Sequence, residues 1–310
     1  MTMPPPSAGG TAIVLALDTL SAMDVKSMAP NSARRWHTYA EILQHAFADR
    51  AVVSGDPAFD PPRPPADGAW VRERIDPERT LAPERYGTTG SAAAPPPDDA
   101  GTAHVSVIAD DGSAAALTST INTSFGSLLG AQGSGVILNN ELDDFSFPVA
   151  NAWGLEPAPT NRIQPGKRPT SSMSPTIAVR DDRAAVAVGA SGGPLIISAT
   201  LEVLTNVLDF GLPAPEAVAS PRIHHQWKPR VLLVEPGVPP SERRLLEGFG
   251  HQIREIPGVA AVSLATALPE AGLAGAGDPR KGGSAEVEKR RDGQRSKCQH
   301  PDDRAVCSPE

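Results

Sequence analysis

The sequence predicts an α+β fold in which antiparallel strand pairs are covered by helices. Residues 102–109 and 114–122 alternate apolar and small polar side chains on either side of an Asp-Asp-Gly-Ser turn, which is the pattern of a β-hairpin. Residues 176–179 and 184–190 form a second such pair around Asp181-Asp182. Apolar side chains recur at helical spacing before and after these pairs. Strands joined by short turns are antiparallel, and helices must cover their apolar faces, so the class is α+β.

Two helices are predicted ahead of the hairpin. Residues 11–23 keep apolar side chains at helical spacing after a Gly-Gly start, and residues 32–50 carry a second apolar stripe. A short helical patch is expected at residues 69–74, inside a proline-rich connection. We interpret His37 and His45 on the second helix as surface or hydrogen-bonded core residues. The stripe of that helix consists of Trp36, Tyr39, Ile42, Leu43, Ala46 and Phe47.

Strands and helices also alternate after the hairpin. Residues 135–140 predict a strand that leads into an acidic turn, and residues 195–210 predict a helix with one apolar face. Strands are expected at residues 231–234 and 262–267, with a helix at residues 241–249 between them. This order completes the alternation of strand pairs and helices.

Length and composition exclude several classes of protein. A chain of 310 residues can bury one large core or two modest ones. The net charge of −8 argues against a nucleic-acid surface, which would need a basic patch. Cys298 and Cys307 are the only cysteines, so a disulfide framework and a four-cysteine zinc site are excluded. No run of about 20 apolar residues predicts a transmembrane helix, and Met1–Pro6 lacks the features of a signal peptide.

Thr102 is a candidate nucleophile because it heads a strand directly after a loop rich in Pro, Asp and Gly. Cleavage before it would free an α-amine beside its own hydroxyl, which gives nucleophile and base in one residue, as an N-terminal-nucleophile hydrolase requires. An ordinary turn would also place Gly-Thr at the start of a strand. Gly192-Gly193, between a predicted strand and a predicted helix, could offer main-chain N–H groups to a developing oxyanion.

Five motifs carry a family resemblance, and they occur in one order along the chain. They are Thr102-Ala103-His104-Val105-Ser106-Val107, Thr118-Ser119-Thr120-Ile121-Asn122, Leu138-Asn139-Asn140-Glu141-Leu142-Asp143-Asp144-Phe145, Lys167-Arg168-Pro169-Thr170-Ser171-Ser172-Met173-Ser174-Pro175 and Gly189-Ala190-Ser191-Gly192-Gly193. With them the chain resembles the γ-glutamyltransferases, also called glutathione hydrolases, over roughly residues 4–285. Residues 4–10 are similar to a loop late in that family's large subunit, and residues 278–283 follow the end of its small subunit.

The resemblance implies a specific architecture and domain division. The fold would be a four-layer αββα sandwich of the N-terminal-nucleophile hydrolase type, incomplete at the N-terminus. Residues 1–101 would be the C-terminal part of a large subunit with an exposed processing loop, and residues 102–287 the small, catalytic subunit. Residues 147–166 would form a lid over the substrate. Residues 288–310 are charged and unlike the family's ending, so we expect a disordered tail.

The resemblance also implies the roles of individual residues. Thr102 would be the nucleophile, Thr120 would orient it, and the amides of Gly192 and Gly193 would form the oxyanion hole. The α-ammonium group of the donor would be bound by Asn122, Glu141 and Asp144. Its α-carboxylate would be bound by Ser171 and Ser172. No cofactor or catalytic metal is implied, and the adjacent His224 and His225 are expected to point apart.

The implied reaction moves a γ-glutamyl group from glutathione or its conjugates to water, amino acids or peptides, after self-cleavage into large and small subunits. Family members are periplasmic, secreted or at the cell surface. The family's arginine for the substrate α-carboxylate lies early in the large subunit, and no residue here matches it. A catalytically inactive remnant or pseudoenzyme of the same fold is therefore an alternative. Another N-terminal-nucleophile amidase, such as a β-lactam side-chain acylase, is a third, although the Asn122, Glu141, Asp144 and Ser171-Ser172 set suits an amino acid head group.

Overall fold

The structure is a computed structural model that describes residues 1–61, 64–87, 101–148, 151–269, 271–288 and 295–296. Within these residues the α-helices are α1 (Ala8–Ser21), α2 (Ala33–Val53), α3 (Gly68–Arg72), α4 (Leu195–Leu208), α5 (Ala214–Ala219) and α6 (Pro240–Gly248). The strands are β1 (Thr102–Ile108), β2 (Ala114–Thr120), β3 (Thr176–Arg180), β4 (Arg183–Ser191), β5 (Ile223–His224), β6 (Leu232–Val234), β7 (Ile253–Glu255), β8 (Ala261–Leu268), β9 (Gly272–Gly277), β10 (Val287–Glu288) and β11 (Arg295–Ser296).

A four-stranded antiparallel sheet in the order β3-β4-β8-β9 lies between the β1–β2 hairpin and helices α4 and α5. Alternation along β4 separates the two faces. Val186 and Val188 pack into the apolar cluster that α4 lines, whereas Gly189 faces His104 of the hairpin. On β8, Ser263 bonds the hairpin through the main-chain carbonyl of His104. The predicted class, antiparallel strand pairs covered by helices, is therefore observed around this sheet.

Helices α1 and α2 form a second apolar cluster with the small β5-β6-β7 sheet. Ser32 caps α2 by accepting a hydrogen bond from the Arg35 amide. The six side chains of the predicted stripe of α2 are all buried, at 3% exposure or less. The predicted range of residues 32–50 is accurate at its start, and the helix continues to Val53.

Helix α1 begins three residues earlier than the Gly-Gly pattern suggests, at Ala8 rather than residue 11. Ser7 caps it by accepting from the Gly9 amide. Gly9 and Gly10 lie inside the helix because other main chain presses against them. A Cβ on Gly9 would lie 2.5 Å from the Met173 carbonyl oxygen, and one on Gly10 would lie 1.9 Å from that of Met3. These glycines serve close packing rather than helix initiation.

One predicted strand is wrong. Residues 135–140 form no strand and make only an isolated bridge between Gly130 and Ile137. Gly133 and Gly135 both have positive φ, and Val136 is 55% exposed. The run folds back on residues 127–131 through main-chain hydrogen bonds as an irregular loop rather than as a strand of a sheet. Elements α5, β5, β7 and β9 were not predicted. The sequence of β9 is Gly- and Ala-rich and lacks β-propensity, and β6–β7 is a parallel pair rather than an antiparallel one.

The histidines have different surroundings. His37 is buried, and its Nε2 donates to the Asp76 carbonyl over 2.7 Å, which leaves Nδ1 to accept from Nε2 of His251 over 2.8 Å. His45 is also buried, and no partner for its ring nitrogens is seen among the described residues, so the prediction of a surface or hydrogen-bonded residue is wrong for His45. The neighbours His224 and His225 contact different groups, Ser198 and the Trp227 amide. The expectation that they point apart is met.

No helix in the described ranges is long and apolar enough to cross a membrane. The processing loop is predicted at residues 92–101, and of these only Gly101 lies within the described residues. Both cysteines lie outside them. Of the expected tail, residue 288 and residues 295–296 are described, and β10 pairs with β11 there.

Candidate active site

The hairpin places two threonine hydroxyls together. Thr102 and Thr120 are directly opposite each other in the β1–β2 register, and their Oγ1 atoms are 2.9 Å apart. The Asn122 amide donates to Oγ1 of Thr120 over 2.8 Å. This bond occupies an acceptor position of the Thr120 hydroxyl and leaves its hydrogen available for Thr102 or for a neighbouring carbonyl.

That neighbouring carbonyl is the one before Thr102. The Gly101 oxygen accepts from the Ile121 amide over 2.9 Å and lies 3.4 Å from Oγ1 of Thr120. A Cβ on Gly101 would lie 2.4 Å from the Thr123 carbonyl oxygen, so this position has no room for a side chain and requires glycine. The bond between Gly101 and Thr102 thus has its carbonyl oxygen between two donors and a hydroxyl beside it.

A pocket of about 310 Å³, open solvent at its mouth included, lies over these threonines. It brings together eight of the nine predicted site residues: Thr102, Thr120, Asn122, Glu141, Asp144, Ser171, Ser172 and Gly193. The ninth, Gly192, is the chain neighbour of Gly193. The rest of the wall comes from Trp153, Met173, Pro194 and Ile196, which the sequence did not single out.

The acidic side of the pocket is poorly solvated. Burial, together with the neighbouring charge of Glu141, raises the pKa of Asp144 to about 7, although the positive charge of Arg50 acts in the opposite direction. Burial likewise raises the pKa of Glu141, whose Oε1 is enclosed with no hydrogen-bond partner among the described residues. A cation that enters the pocket would find two desolvated carboxyl groups.

Asn122 fixes the boundary between the nucleophile and the acidic side. It is buried with a φ of 73°, a left-handed conformation that asparagine tolerates. Its Nδ2 donates to the Asn140 carbonyl over 3.2 Å and lies 3.4 Å from Oδ1 of Asp144. Its Oδ1 accepts from Nε1 of Trp153 over 2.7 Å. Trp153 belongs to the predicted lid segment, and a lone tryptophan in a Pro- and Asn-rich loop was the signal that could have identified it.

The two serines are held from the start of the chain. The Ala8 amide donates to the Ser171 carbonyl over 2.9 Å, and the Ser7 hydroxyl donates to the Met173 carbonyl over 2.5 Å. The Gly9 main chain packs against the Ser172 carbonyl. The Pro-Pro-Pro-Ser-Ala-Gly-Gly stretch therefore supports this wall of the pocket, although it contributes no side chain to it.

Two ion pairs tie the preceding residues to the loop after α2. Nη2 of Arg168 lies 2.7 Å from Oδ1 of Asp56, and Nζ of Lys167 lies 2.6 Å from Oδ2 of Asp60. The hydrogen bonds from Arg168 hold the pKa of Asp56 well below its usual value. This segment is thus anchored at both ends, by Asp56 and by α1.

Gly192 and Gly193 turn the chain from β4 into α4 with φ angles of 149° and 54°. Neither position has room for a side chain. A Cβ on Gly192 would lie 2.7 Å from Ala260, and one on Gly193 would lie 2.5 Å from the Trp153 ring. The turn lies at the N-terminal end of α4, where the helix dipole favours negative charge.

Within the described ranges, one group of side chains has the composition and spacing of a metal site, namely His37, Glu41 and His251. Its histidine nitrogens already bond each other and the Asp76 carbonyl, and Glu41 accepts from Tyr86 and Gln44. None of the three lines the threonine pocket.

Known proteins match this chain over most of its length. The γ-glutamyltranspeptidase family model matches residues 1–288. The glutathione hydrolase proenzyme of Escherichia coli (strain K12) is 38% identical over 286 residues, which covers 90% of this chain and 49% of that protein. The chain thus spans about half the length of the curated relatives it matches.

Solved structures show the same relationship. A mutant of the Helicobacter pylori γ-glutamyltranspeptidase is 40% identical, with a TM-score of 0.55, over 57% of this chain and 98% of that chain. The cephalosporin acylase from Bacillus halodurans is 22% identical, with a TM-score of 0.72, over 90% of this chain and 49% of that chain, which shows a shared fold alone. Both neighbours are N-terminal-nucleophile hydrolases, so that part of the predicted fold class is confirmed. On these matches, the chain belongs to the γ-glutamyltranspeptidase family.

Proposed function

We propose that the chain is the catalytic part of a γ-glutamyltransferase, an autoprocessed threonine enzyme that transfers a γ-glutamyl group from glutathione or its conjugates to water, amino acids or peptides. The observation that carries this proposal is the hydrogen-bonded Thr102–Thr120 pair at the floor of a pocket that also holds two desolvated carboxyl groups and two serines. Family membership agrees with it.

Self-cleavage would begin at Gly101. Oγ1 of Thr102 attacks the Gly101 carbonyl carbon, and the Ile121 amide and the Thr120 hydroxyl stabilise the negative charge on the oxygen. The bond from that carbon to the Thr102 nitrogen breaks, and the nitrogen takes up the proton that the Thr102 hydroxyl has lost. Water then hydrolyses the resulting ester, which leaves a Gly101 carboxylate and a free α-amine on Thr102. The products are residues 1–101 and a chain that begins at Thr102, with residues 102–287 as the catalytic subunit and residues 288–310 as a tail.

Turnover would use the same hydroxyl. Oγ1 of Thr102 attacks the γ-carbonyl of the donor while the α-amine takes its proton, and the amides of Gly192 and Gly193 hold the oxyanion. The leaving amine receives the proton and departs, which leaves a γ-glutamyl ester. Water or an acceptor amine attacks that ester and regenerates the hydroxyl.

The pocket suits the head group of a glutamyl donor. Asp144, Glu141 and Asn122 offer oxygens to an α-ammonium, and ion pairs in poorly solvated pockets are strong. Hydroxyls of Ser171 and Ser172, which line the same pocket, can donate to the α-carboxylate. An amidase for a neutral side chain would gain nothing from two buried carboxyl groups.

One observation favours an inactive relative as the second candidate. The described residues that line the pocket include no arginine or lysine to neutralise the donor carboxylate. The outer face of the hairpin is also open, with Val105 56% and Leu117 65% exposed. We propose that a further layer, supplied by a segment outside this chain, completes a four-layer αββα sandwich there and brings the missing cation.

A chromogenic γ-glutamyl anilide tests the proposal. Release of the aniline by the wild-type chain, alone or with the complementary half of a relative, should fall about a thousandfold or more in Thr102→Ala. Thr102→Ser keeps the hydroxyl and should retain part of the activity. Equal rates in wild type and Thr102→Ala would refute the assignment of the nucleophile.

A further inference from the structure

The motif Asp278-Pro279-Arg280-Lys281-Gly282-Gly283 has no part in the mechanism proposed above, yet the structure builds it as a rigid turn. Oδ1 of Asp278 accepts from the Arg280 amide over 3.0 Å and caps a short 3₁₀ helix, Pro279–Lys281. Gly282 follows with a φ of 65°, and the Gly283 amide returns to the Asp278 carbonyl over 2.9 Å. The conformation of Lys281 is therefore set from both sides.

A buried ion network anchors this turn to the central sheet. Asp278 is 1% exposed, pairs with the buried Arg222, and accepts from the Val262 amide of β8 over 2.9 Å. Arg280 donates from Nε to Oε1 of Glu235 over 2.7 Å. Removing one partner from such a network leaves a buried charge unpaired, so the network holds the turn firmly in place.

From this base the ammonium group of Lys281 reaches the two elements that bear the reacting groups. Its Nζ donates to Oγ of Ser191 over 3.0 Å and to the main-chain carbonyl of Thr102 over 3.3 Å. Ser191 is the last residue of β4, directly before the Gly192-Gly193 turn, and Thr102 is the first residue of β1. One cation thus joins the nucleophile strand to the oxyanion turn, and it does not line the substrate pocket.

We propose that Lys281 is a positioning residue for the reaction: it holds Thr102 against the Gly192-Gly193 turn, and its charge keeps the α-amine that cleavage frees on Thr102 in the neutral, proton-accepting form. This inference rests on the proposed function, because the amine exists only after cleavage. The amine nitrogen is two covalent bonds from the carbonyl carbon whose oxygen Lys281 contacts. A cation that close disfavours a second positive charge.

Other charged groups surround the amine and act alongside Lys281. Glu141 and Asp144 line the same pocket as Thr102 and would favour the protonated form of the amine whenever they are ionised. His104, on the same face of β1, is neutral near pH 7 because burial lowers its pKa to about 4. Lys281 contacts the Thr102 carbonyl, and its positive charge opposes the effect of the two carboxyl groups on the amine. Because Lys281 is exposed and solvent screens its charge, we expect an effect of about one pH unit.

Titration of the α-amine by competitive acetylation tests this inference without any turnover. The probe is acetic anhydride at a series of pH values, and mass spectrometry of the peptide that begins at Thr102 gives the labelled fraction. In Lys281→Met the amine should titrate about one pH unit higher than in wild type, so that its free-base fraction at lower pH falls about tenfold. Lys281→Arg keeps the charge and should titrate close to wild type.

The matched control is Lys26→Met, which removes an exposed lysine from the other end of the chain and should leave the amine unchanged. Lys281→Gln replaces Lys281→Met if the latter does not fold by circular dichroism. If the amine has the same titration midpoint in wild type, Lys281→Met and Lys281→Arg, the inference is overturned. If the chain does not cleave itself, the proposed function fails first. The amine can then be exposed by co-expressing residues 1–101 with residues 102–310, because the host removes the initiator methionine before Thr102. Titration of that amine in wild type, Lys281→Met and Lys281→Arg then tests the inference.

Discussion

In the proposed function, the negative charge of Asp144 pairs with the α-ammonium group of the donor. Asp144→Asn keeps the shape of the side chain and removes that charge. The loss of binding free energy should be on the order of 2–5 kcal/mol, so kcat/KM for a γ-glutamyl donor should fall at least about thirtyfold. Self-cleavage should change much less, because the donors to the Gly101 carbonyl are Ile121 and Thr120. Asp182→Asn in the exposed β3–β4 turn is the matched control for the charge change. An unchanged kcat/KM in Asp144→Asn would show that the role is wrongly assigned.

The same carboxyl predicts a pH dependence. With its pKa raised to about 7 in the empty pocket, Asp144 is protonated at lower pH and must lose that proton to pair with an ammonium. KM for the donor should therefore rise as pH falls below about 7, by up to about tenfold per pH unit. The KM profile of Asp144→Asn should be flatter over the same range. Identical profiles in the two proteins would contradict this assignment.

At the scale of elements, the hairpin lies in register on the sheet through a chain of side-chain hydrogen bonds. The Ser106 hydroxyl donates to the Ser263 carbonyl over 3.1 Å and so must accept from Nε2 of His104, 2.9 Å away. Nδ1 of His104 then accepts from Thr118 over 2.8 Å. The inward face of β1 is thus polar and bonded to β8 and β2, which fixes the strand that begins with Thr102.

Gly189 of β4 makes this arrangement possible, since a Cβ there would lie 2.3 Å from the His104 ring. Gly189→Ala should displace the hairpin, destabilise the protein by roughly 1–3 kcal/mol, and slow self-cleavage. Thermal unfolding and intact mass after a fixed time measure the two effects. Gly248→Ala, at the end of α6 with nothing within 4 Å of the added Cβ, is the control and should be neutral or slightly stabilising. A Gly189→Ala protein as stable and as fast as this control would show that His104 can move without consequence.

Local pattern predicted the elements that carry the site, and tertiary contacts decided the rest. The β1–β2 hairpin and α2 have strong periodicity, and their predicted ranges match the structure closely. The run at residues 135–140 has the composition of a strand but folds back on residues 127–131 as an irregular loop. Strand β9 has a partner strand but not the composition. The sequence shows Trp153 as a lone tryptophan in a loop, but its contact with Gly193 depends on how that loop folds back. The motifs located most of the pocket wall, and the structure brings those residues together.

At the scale of the whole molecule, the exposed face of the hairpin is the feature on which the proposed further layer rests. Val105, Val107 and Leu117 point outward from β1 and β2 and are more than half exposed. Contiguous apolar faces of this kind are covered in stable proteins. We therefore expect the chain alone to be poorly soluble and to turn over little donor.

Addition of the complementary half of a relative should raise both the soluble yield and the activity. The comparison needs an unrelated soluble protein at the same concentration as its control. Solubility is measured by the protein left in the supernatant, and activity by anilide release. Full turnover by the 310-residue chain alone would show that the site needs neither the extra layer nor its cation, and no rescue would favour the inactive relative.

The central claim is that Thr102 is a nucleophile released by its own attack on Gly101, and intact-mass spectrometry of the soluble, folded chain tests it most directly. The wild-type protein should give two species, residues 1–101 and residues 102–310, whose amount grows with time after purification. Thr102→Ala should stay a single species of full mass under the same conditions. A wild-type protein that stays intact, or cleavage that proceeds equally in Thr102→Ala, would contradict the claim.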